Sequence, residues 1–260
     1  MIEEQAAPVK AVTKTARILE VLAERDSVGV TEIAAQTDMS KATAYRFLAT
    51  LQRLGYVRQD RATERYSLTL KLFELGSLVR SRRSLLDEVH PTLQAVAEAT
   101  EETVHMAMFE AGHLVYIAKI ESQRTLKVSM QSRVGSSAPV YCTGLGKAML
   151  SRLSADQVRR VLAQTELVAH TPNTLTDPAA IERELETIRS QGYAVDNEEH
   201  ELGVTCIAAP IVSRDGASVA AVSVSVPSIR ATPEAFERCR AEIVAAAAVL
   251  SQAVLLPTIA

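Results

Sequence analysis

"SKATAYRFLATLQRLGYV", Ser40 to Val57, decides how the front of this chain is read. Ala44, Phe47, Leu48, Leu51 and Leu54 recur at three- and four-residue spacing, which puts them on one face of a helix. Lys41, Thr43, Tyr45, Arg46, Thr50 and Arg53 fall largely on the remainder. Ser40 is placed to cap the helix and Gly55 to end it. The second face meets water, another protein or nucleic acid, and the flanking sequence bears on which.

Upstream, Ile18, Leu19 and Leu22 mark a helix over Lys14 to Arg25. Thr31 is a candidate N-cap for TEIAAQT, with Glu32 in the first turn, and Asp38-Met39 makes a short turn before Ser40. Downstream, YVRQ and RYSL are short alternating runs joined by DRATE, the pattern of a half-exposed hairpin. Helix, helix, tight turn, helix and hairpin is the layout of a winged helix-turn-helix. In that layout Ser40, Lys41, Thr43, Tyr45 and Arg46 reach bases at the helix N-terminus, and Arg58, Arg61 and Arg65 on the hairpin neutralise phosphates. The competing reading is a solvated helix in a small helical domain that binds nothing.

The bulk numbers fit a folded cytoplasmic protein of one large or two modest domains. Of 260 residues, 47% are apolar and 23% charged, and no apolar run approaches the roughly 20 residues of a bilayer span. The N-terminus lacks the order of a signal peptide. Cys142, Cys206 and Cys239 are scattered without a CxxC pair, which argues against a disulfide framework and a structural zinc site. Residues 10–72 carry 11 Lys/Arg against 7 Asp/Glu, although the whole chain is at −3, so the back is acidic. Two jobs are implied, though an imbalance of this size also arises by chance.

The expected division is a flexible tail at 1–9, a winged helix-turn-helix at 10–68, a linker helix at 69–83 and a second domain at 84–260. The linker's Leu72, Phe73, Leu75 and Val79 have no obvious partner and suggest a dimer contact. A helix near Ser84 to Ala99 has Pro91 near its first turns. Beyond it, VHMAMF and LVYIAKI are strand-like and joined by EAGH. YAVD, VTCIAAPIV and SVAAVSVSV are also strand-like, the last two joined at Asp215-Gly216. SADQ is a capping box, and Asp177-Pro178 and Thr232-Pro233 are caps followed by proline. A sheet flanked by long helices makes the second half α/β and the chain as a whole α+β.

These segments resemble the IclR family of bacterial transcription regulators. The resemblance covers nearly the whole chain, through SKATAYRFLATLQRLGYV, RYSLTLKLFELG, APVYCTGLGKAML, GYAVDNEEHELGVTCIAAPI and AVSVSVP. It implies a GAF-like effector-binding domain, a dimer or dimer of dimers, and a palindromic operator in double-stranded DNA. It places a small carboxylate effector against Gly144, Leu145, Gly146, Asp196, Cys206, Ser223 and Ser225. The first half is most similar to repressors of pectin breakdown that sense 2-keto-3-deoxygluconate. His200 is like that of members sensing glyoxylate or pyruvate, and an aromatic acid or an activator role is the further alternative. The chemistry is sensible on its own. Glycines opening a helix can expose N–H groups to an anion, serines two apart on a strand share a face, and Asp196 suits a ligand hydroxyl. Taken alone, glycines shape turns, a cysteine in an apolar strand is core, and two serines suit the solvent face of an edge strand.

Enzyme readings are weaker. TGLGK fails as a phosphate loop, because Tyr141 stands where a glycine belongs and Ala148 where the magnesium-ligating hydroxyl should be. A cysteine nucleophile with His105 or His200 lacks any local signature, and His105, His200 and Cys206 lack diagnostic metal spacing. No cofactor and no metal are expected. A purely architectural DNA-binding protein conflicts with the acidic second domain.

Overall fold

The computed structural model describes residues 9–77, 80–110, 113–124, 132–213 and 218–253. Two compact units divide between Arg83 and Ser84. The expected tail, Val79 of the linker, and the turns at Ala111-Gly112 and Asp215-Gly216 lie outside the described residues. Among the described residues no helix is long and apolar enough to cross a membrane.

The first unit is built from α1 (Lys10–Ala23), α2 (Val30–Gln36), α3 (Lys41–Arg53), β1 (Val57–Gln59), β2 (Tyr66–Leu68) and α4 (Lys71–Ser77). Ile18, Leu22, Ile33, Ala44, Leu48, Leu51, Val57 and Tyr66 form its core, so α1, α2, α3 and the two strands each contribute the face their apolar spacing marks. Ser40 caps α3 by accepting from the Thr43 N–H, and Gly55 just past α3 takes a left-handed φ of 80°. β1 and β2 pair antiparallel, Val57 against Leu68 and Gln59 against Tyr66. The Asp60 carboxylate closes their turn by accepting from Ala62 and Thr63 N–H at 2.8 Å each.

Several expectations shift. α1 starts at Lys10, four residues early. Thr31 is not a cap: Gly29 occupies the N-cap of α2, and Thr31 lies exposed inside the first turn. Leu54 ends α3 and is 53% exposed, because the apolar stripe stops at Leu51. The single linker helix corresponds to α4 and the start of α5 (Arg80–Thr100), and Pro91 lies inside α5.

The second unit is one antiparallel sheet with helices on both faces. Its strands are β3 (Thr103–Glu110), β4 (His113–Ile120), β5 (Ser137–Ala138), β6 (Ala194–Asn197), β7 (Val204–Val212) and β8 (Ser218–Pro227), in the order β5-β4-β3-β8-β7-β6. Alternation assigns the faces. Val104, Met106, Ile207, Val222, Val224 and Val226 pack with residues of α5 and of α9 (Pro233–Ala253). The other face meets α6 (Gly144–Leu150), α7 (Ala155–Gln164) and α8 (Pro178–Gln191) through Ala107, Leu145, Leu162, Ile181, Leu185 and Ala208. The capping box holds at Ser154 and Gln157, and Asp177 caps α8 ahead of Pro178.

Candidate functional site

On α3, Lys41, Tyr45 and Arg46 are exposed, and Tyr45 keeps 56% of its surface in solvent. An aromatic ring and two cations on the open face of the third helix suit groove recognition. Ser40 and Thr43 are partly committed to each other, their hydroxyls 2.8 Å apart within the cap. On the hairpin, Arg61 is exposed at the turn and Arg58 is exposed while donating to Ser67 Oγ at 3.0 Å. Arg65 differs. It donates to the Ser27 carbonyl at 2.9 Å, to Ser27 Oγ at 3.2 Å and to Glu32 Oε1 at 2.9 Å. Its guanidinium ties the hairpin to the start of α2, so the phosphate role expected of it would break three internal contacts. Lys71, which sequence reasoning passed over, donates to the Leu54 carbonyl at 3.0 Å and stands 5.1 Å from the Tyr56 ring centroid.

In the second unit, strand register collects most of the expected effector residues. Thr103, Ser225, Cys206 and Asp196 lie side by side across β3, β8, β7 and β6. One step along, His105, Ser223, Ala208 and Ala194 form a parallel row. Directly paired residues point to the same face, and Gly144 identifies that face as the one under α6. A Cβ on Gly144 would touch the Cβ atoms of Ala208 and Cys206 at 3.3 and 3.4 Å. Ser223 and Ser225 are buried at 1% and 4% exposure on a central strand, which removes the edge-strand reading. Cys206 is half-buried with Sγ 3.1 Å from Ser225 Oγ.

Leu145 and Gly146 stand differently. Leu145 is 3% exposed within the core beneath α6. A Cβ on Gly146 would overlap the Val140 backbone, and its N–H is spent on Thr143 Oγ1 at 3.2 Å. Gly146 is there for close packing, and the idea that its N–H awaits an anion is corrected.

Asp196 is 3% exposed and accepts from the Glu199 N–H at 2.7 Å and the His200 N–H at 3.4 Å. Burial pushes its carboxyl up to about 7, despite these bonds. Glu199 meets Lys147 of α6, whose fully buried ammonium also donates to Glu184 Oε1 of α8 at 2.7 Å. Thr171 and Thr174 Oγ1 donate to the Glu198 and Glu199 carbonyls and hold the same turn. Lys147 was weighed in the sequence only as part of a failed phosphate loop. A lysine inside the apolar run GLGKAML was the available signal, since a buried ammonium requires carboxylate partners.

His105 was weighed in the sequence only as a partner of a nucleophile or a metal. It is 2% exposed, and burial, then the Lys119 charge, depress it to about 3, so its imidazole is neutral. It stands 3.3 Å from Ser225 Oγ through Nδ1 and 2.8 Å from Ser132 Oγ through Nε2. Its ring lies 5.3 Å from that of Tyr116. His200 instead meets His170 edge-on at 5.4 Å. Among the described residues no three His, Cys, Asp or Glu side chains gather in metal-ligating geometry. Burial raises all three thiols: Cys142 to about 12, Cys239 to about 11, and Cys206 well above its ordinary value. None is poised as a nucleophile. A separate cavity of about 690 Å³, walled in part by Gln94, Glu98, Ile120 and Arg124, includes none of these site residues.

Comparison with known proteins matches both units of the chain. The IclR helix-turn-helix domain matches residues 11–61, and the IclR C-terminal domain of bacterial transcriptional regulators matches residues 78–252. The transcriptional regulator KdgR of Escherichia coli (strain K12) is 39% identical over 233 residues, covering 90% of this chain and 88% of that protein. The transcriptional repressor IclR of the same strain is 35% identical, covering 92% and 88%. The crystal structure of an IclR transcriptional regulator from Alicyclobacillus acidocaldarius superposes with a TM-score of 0.80 at 28% identity, over 95% of this chain and 99% of that one. These relatives are regulators rather than enzymes, and with its DNA-binding unit ahead of an α/β unit for small-molecule effectors, the chain belongs to the IclR family of bacterial transcriptional regulators.

Proposed function

We propose that the protein represses a sugar-acid catabolic operon and leaves its operator when 2-keto-3-deoxygluconate binds the second unit. The observation that carries this reading is the polar row Thr103, Ser225, Cys206 and Asp196, buried on one sheet face beneath α6. Carboxylate and keto oxygens want donors, which Ser223 and Ser225 supply. A sugar-acid hydroxyl wants an acceptor, which Asp196 supplies through the carboxylate oxygen not engaged by Glu199. The 39% identity to KdgR supports the sugar-acid class.

The protein acts as a dimer or a dimer of dimers on a palindromic operator. Leu70, just ahead of α4, and Phe73 on it, 76% and 74% exposed, supply apolar surface for self-association. Lys41, Tyr45 and Arg46 read bases; Arg58 and Arg61 hold phosphates. The effector favours the arrangement that cannot bind DNA, so it must weaken operator affinity by the factor by which the operator weakens the effector, typically about 1–3 kcal/mol.

A thermal-shift screen paired with operator gel shifts tests this, using 2-keto-3-deoxygluconate, glyoxylate, pyruvate and 4-hydroxybenzoate. The sugar acid is expected to give the largest rise in melting point and to release DNA. A larger response to glyoxylate or pyruvate would move the effector to the small keto acids; one to the benzoate would overturn the sugar-acid reading. Light scattering that finds a monomer with and without DNA would remove the dimer.

A further inference from the structure

We infer that His105 is a positioning residue for effector recognition: as the Nδ1–H tautomer between Ser132 and Ser225, it donates to Ser225 Oγ and leaves the Ser225 hydroxyl proton for an effector carboxylate or keto oxygen. This rests on the reading that Ser225 meets the effector.

The geometry leaves two arrangements. His105 is neutral, so one ring nitrogen donates and the other accepts. Both partners are hydroxyls, Ser225 at Nδ1 and Ser132 at Nε2, and either can turn to suit. If Nε2 carries the proton, Ser225 must donate to Nδ1. Its hydroxyl then shows only lone pairs to the site and repels an anion. If Nδ1 carries the proton, Ser132 donates to Nε2 and Ser225 keeps its proton. That proton rests on Cys206 Sγ, a weak acceptor 3.1 Å away, and is released at little cost.

Charge selects between them. Lys119 pairs with His105 across β3 and β4, and its ammonium donates to the Ser132 carbonyl at 3.0 Å. Ser225 lies on β8, the other neighbour of β3. The positive charge therefore sits on the Nε2 side of the ring and favours the lone pair there. Glu121, 3.4 Å from the ammonium and more exposed than it, offsets only part of that field. An anion arriving at Ser225 favours the same tautomer from the opposite side. Lys119 and effector thus act along one polarised line, Ser132 to His105 to Ser225.

The test uses the full chain, with 2-keto-3-deoxygluconate and glyoxylate as probes. Long-range nitrogen NMR on labelled protein reads the tautomer, His105 being identified by the signal lost in His105→Asn. A protonated Nδ1 is expected; a protonated Nε2 overturns the inference without any binding measurement. Calorimetry then compares two variants. His105→Asn places an amide N–H where Nδ1–H was and should bind within a few-fold of wild type. His105→Leu removes the donor and should bind about tenfold or more weakly, the scale of a hydrogen bond bearing on a charged group. Equal losses in both variants would mean a merely steric role and overturn the inference. Wild-type affinity in His105→Leu, with affinity lost in Ser225→Ala, overturns the inference and leaves the effector site standing. Undiminished binding in Ser225→Ala removes the site and the inference together. If His105→Leu fails to fold, the NMR result decides.

Discussion

Lys147 Nζ, fully buried on α6, donates to Glu184 Oε1 on α8 at 2.7 Å while also meeting Glu199 on the turn after β6. One ammonium therefore joins two helices' worth of core to the turn whose N–H groups orient Asp196. Removing it strands two carboxylates, and Glu199 Oε2 already lacks a hydrogen-bond partner among the described residues. Lys147→Met should cost about 3–5 kcal/mol in urea unfolding, the usual penalty for breaking a buried pair. Adding Glu199→Gln should restore part of that loss. A single variant as stable as wild type would show that the cluster does not stabilise the fold.

Asp196 predicts a pH dependence. Its carboxyl is raised from 3.8 to about 7, so between these values the native state keeps a proton that the unfolded chain has released. Stability from this group is therefore lost as pH rises through that window and is level above it. His105, depressed from 6.5 to about 3, acts in the opposite direction below pH 6.5. The difference between wild type and Asp196→Asn isolates the aspartate. The variant should gain stability relative to wild type as pH climbs from 4 to 7, measured by urea midpoints. A constant difference would refute the buried, proton-retaining carboxyl.

Gly146→Ala should be severely destabilising, although alanine is the better helix former. Its Cβ would overlap backbone atoms of Val140, which cannot swing aside as a side-chain tip can. Overpacking against backbone costs about 1–3 kcal/mol or more. Gly192→Ala, where an added Cβ has open space but φ is 84°, isolates backbone strain for comparison. Melting curves should rank Gly146→Ala as the worse of the two.

The arginines of the DNA-binding unit should separate by role. Arg46→Ala should cost about 1–3 kcal/mol on the operator and relax sequence preference. Arg61→Ala should weaken specific and random DNA alike and flatten the salt dependence. Arg65→Ala should lower thermal stability by about 1 kcal/mol, from its part-exposed bonds to Ser27 and Glu32. A loss of DNA affinity in Arg65→Ala at unchanged melting temperature would return that residue to the phosphate contacts.

The DNA-binding unit was legible because its signals are local. The period of Ala44, Leu48 and Leu51, the cap at Ser40 and the stop at Gly55 each act within a few residues. What no spacing rule could show there is the tie of Arg65 to Glu32, 33 residues away in sequence. In the second unit the serine pair was readable from its two-residue spacing. Its neighbours were not, since the row joining Thr103, Ser225, Cys206 and Asp196 exists only through pairing of distant strands. Gly146 shows the converse: a glycine in the first turn of a helix signals an anion site and a close approach equally, and only the position of Val140 separates them.

The protected thiols have a practical use. A thiol must ionise to react, and all three cysteines are held in the unreactive form at neutral pH by their surroundings. The folded chain is therefore a quiet background for maleimide chemistry. A cysteine introduced at Ala49, exposed on α3, becomes a dominant attachment point for a fluorophore. Docking on DNA and its reversal by a metabolite can then be followed in one cuvette, with no native residue removed from either site.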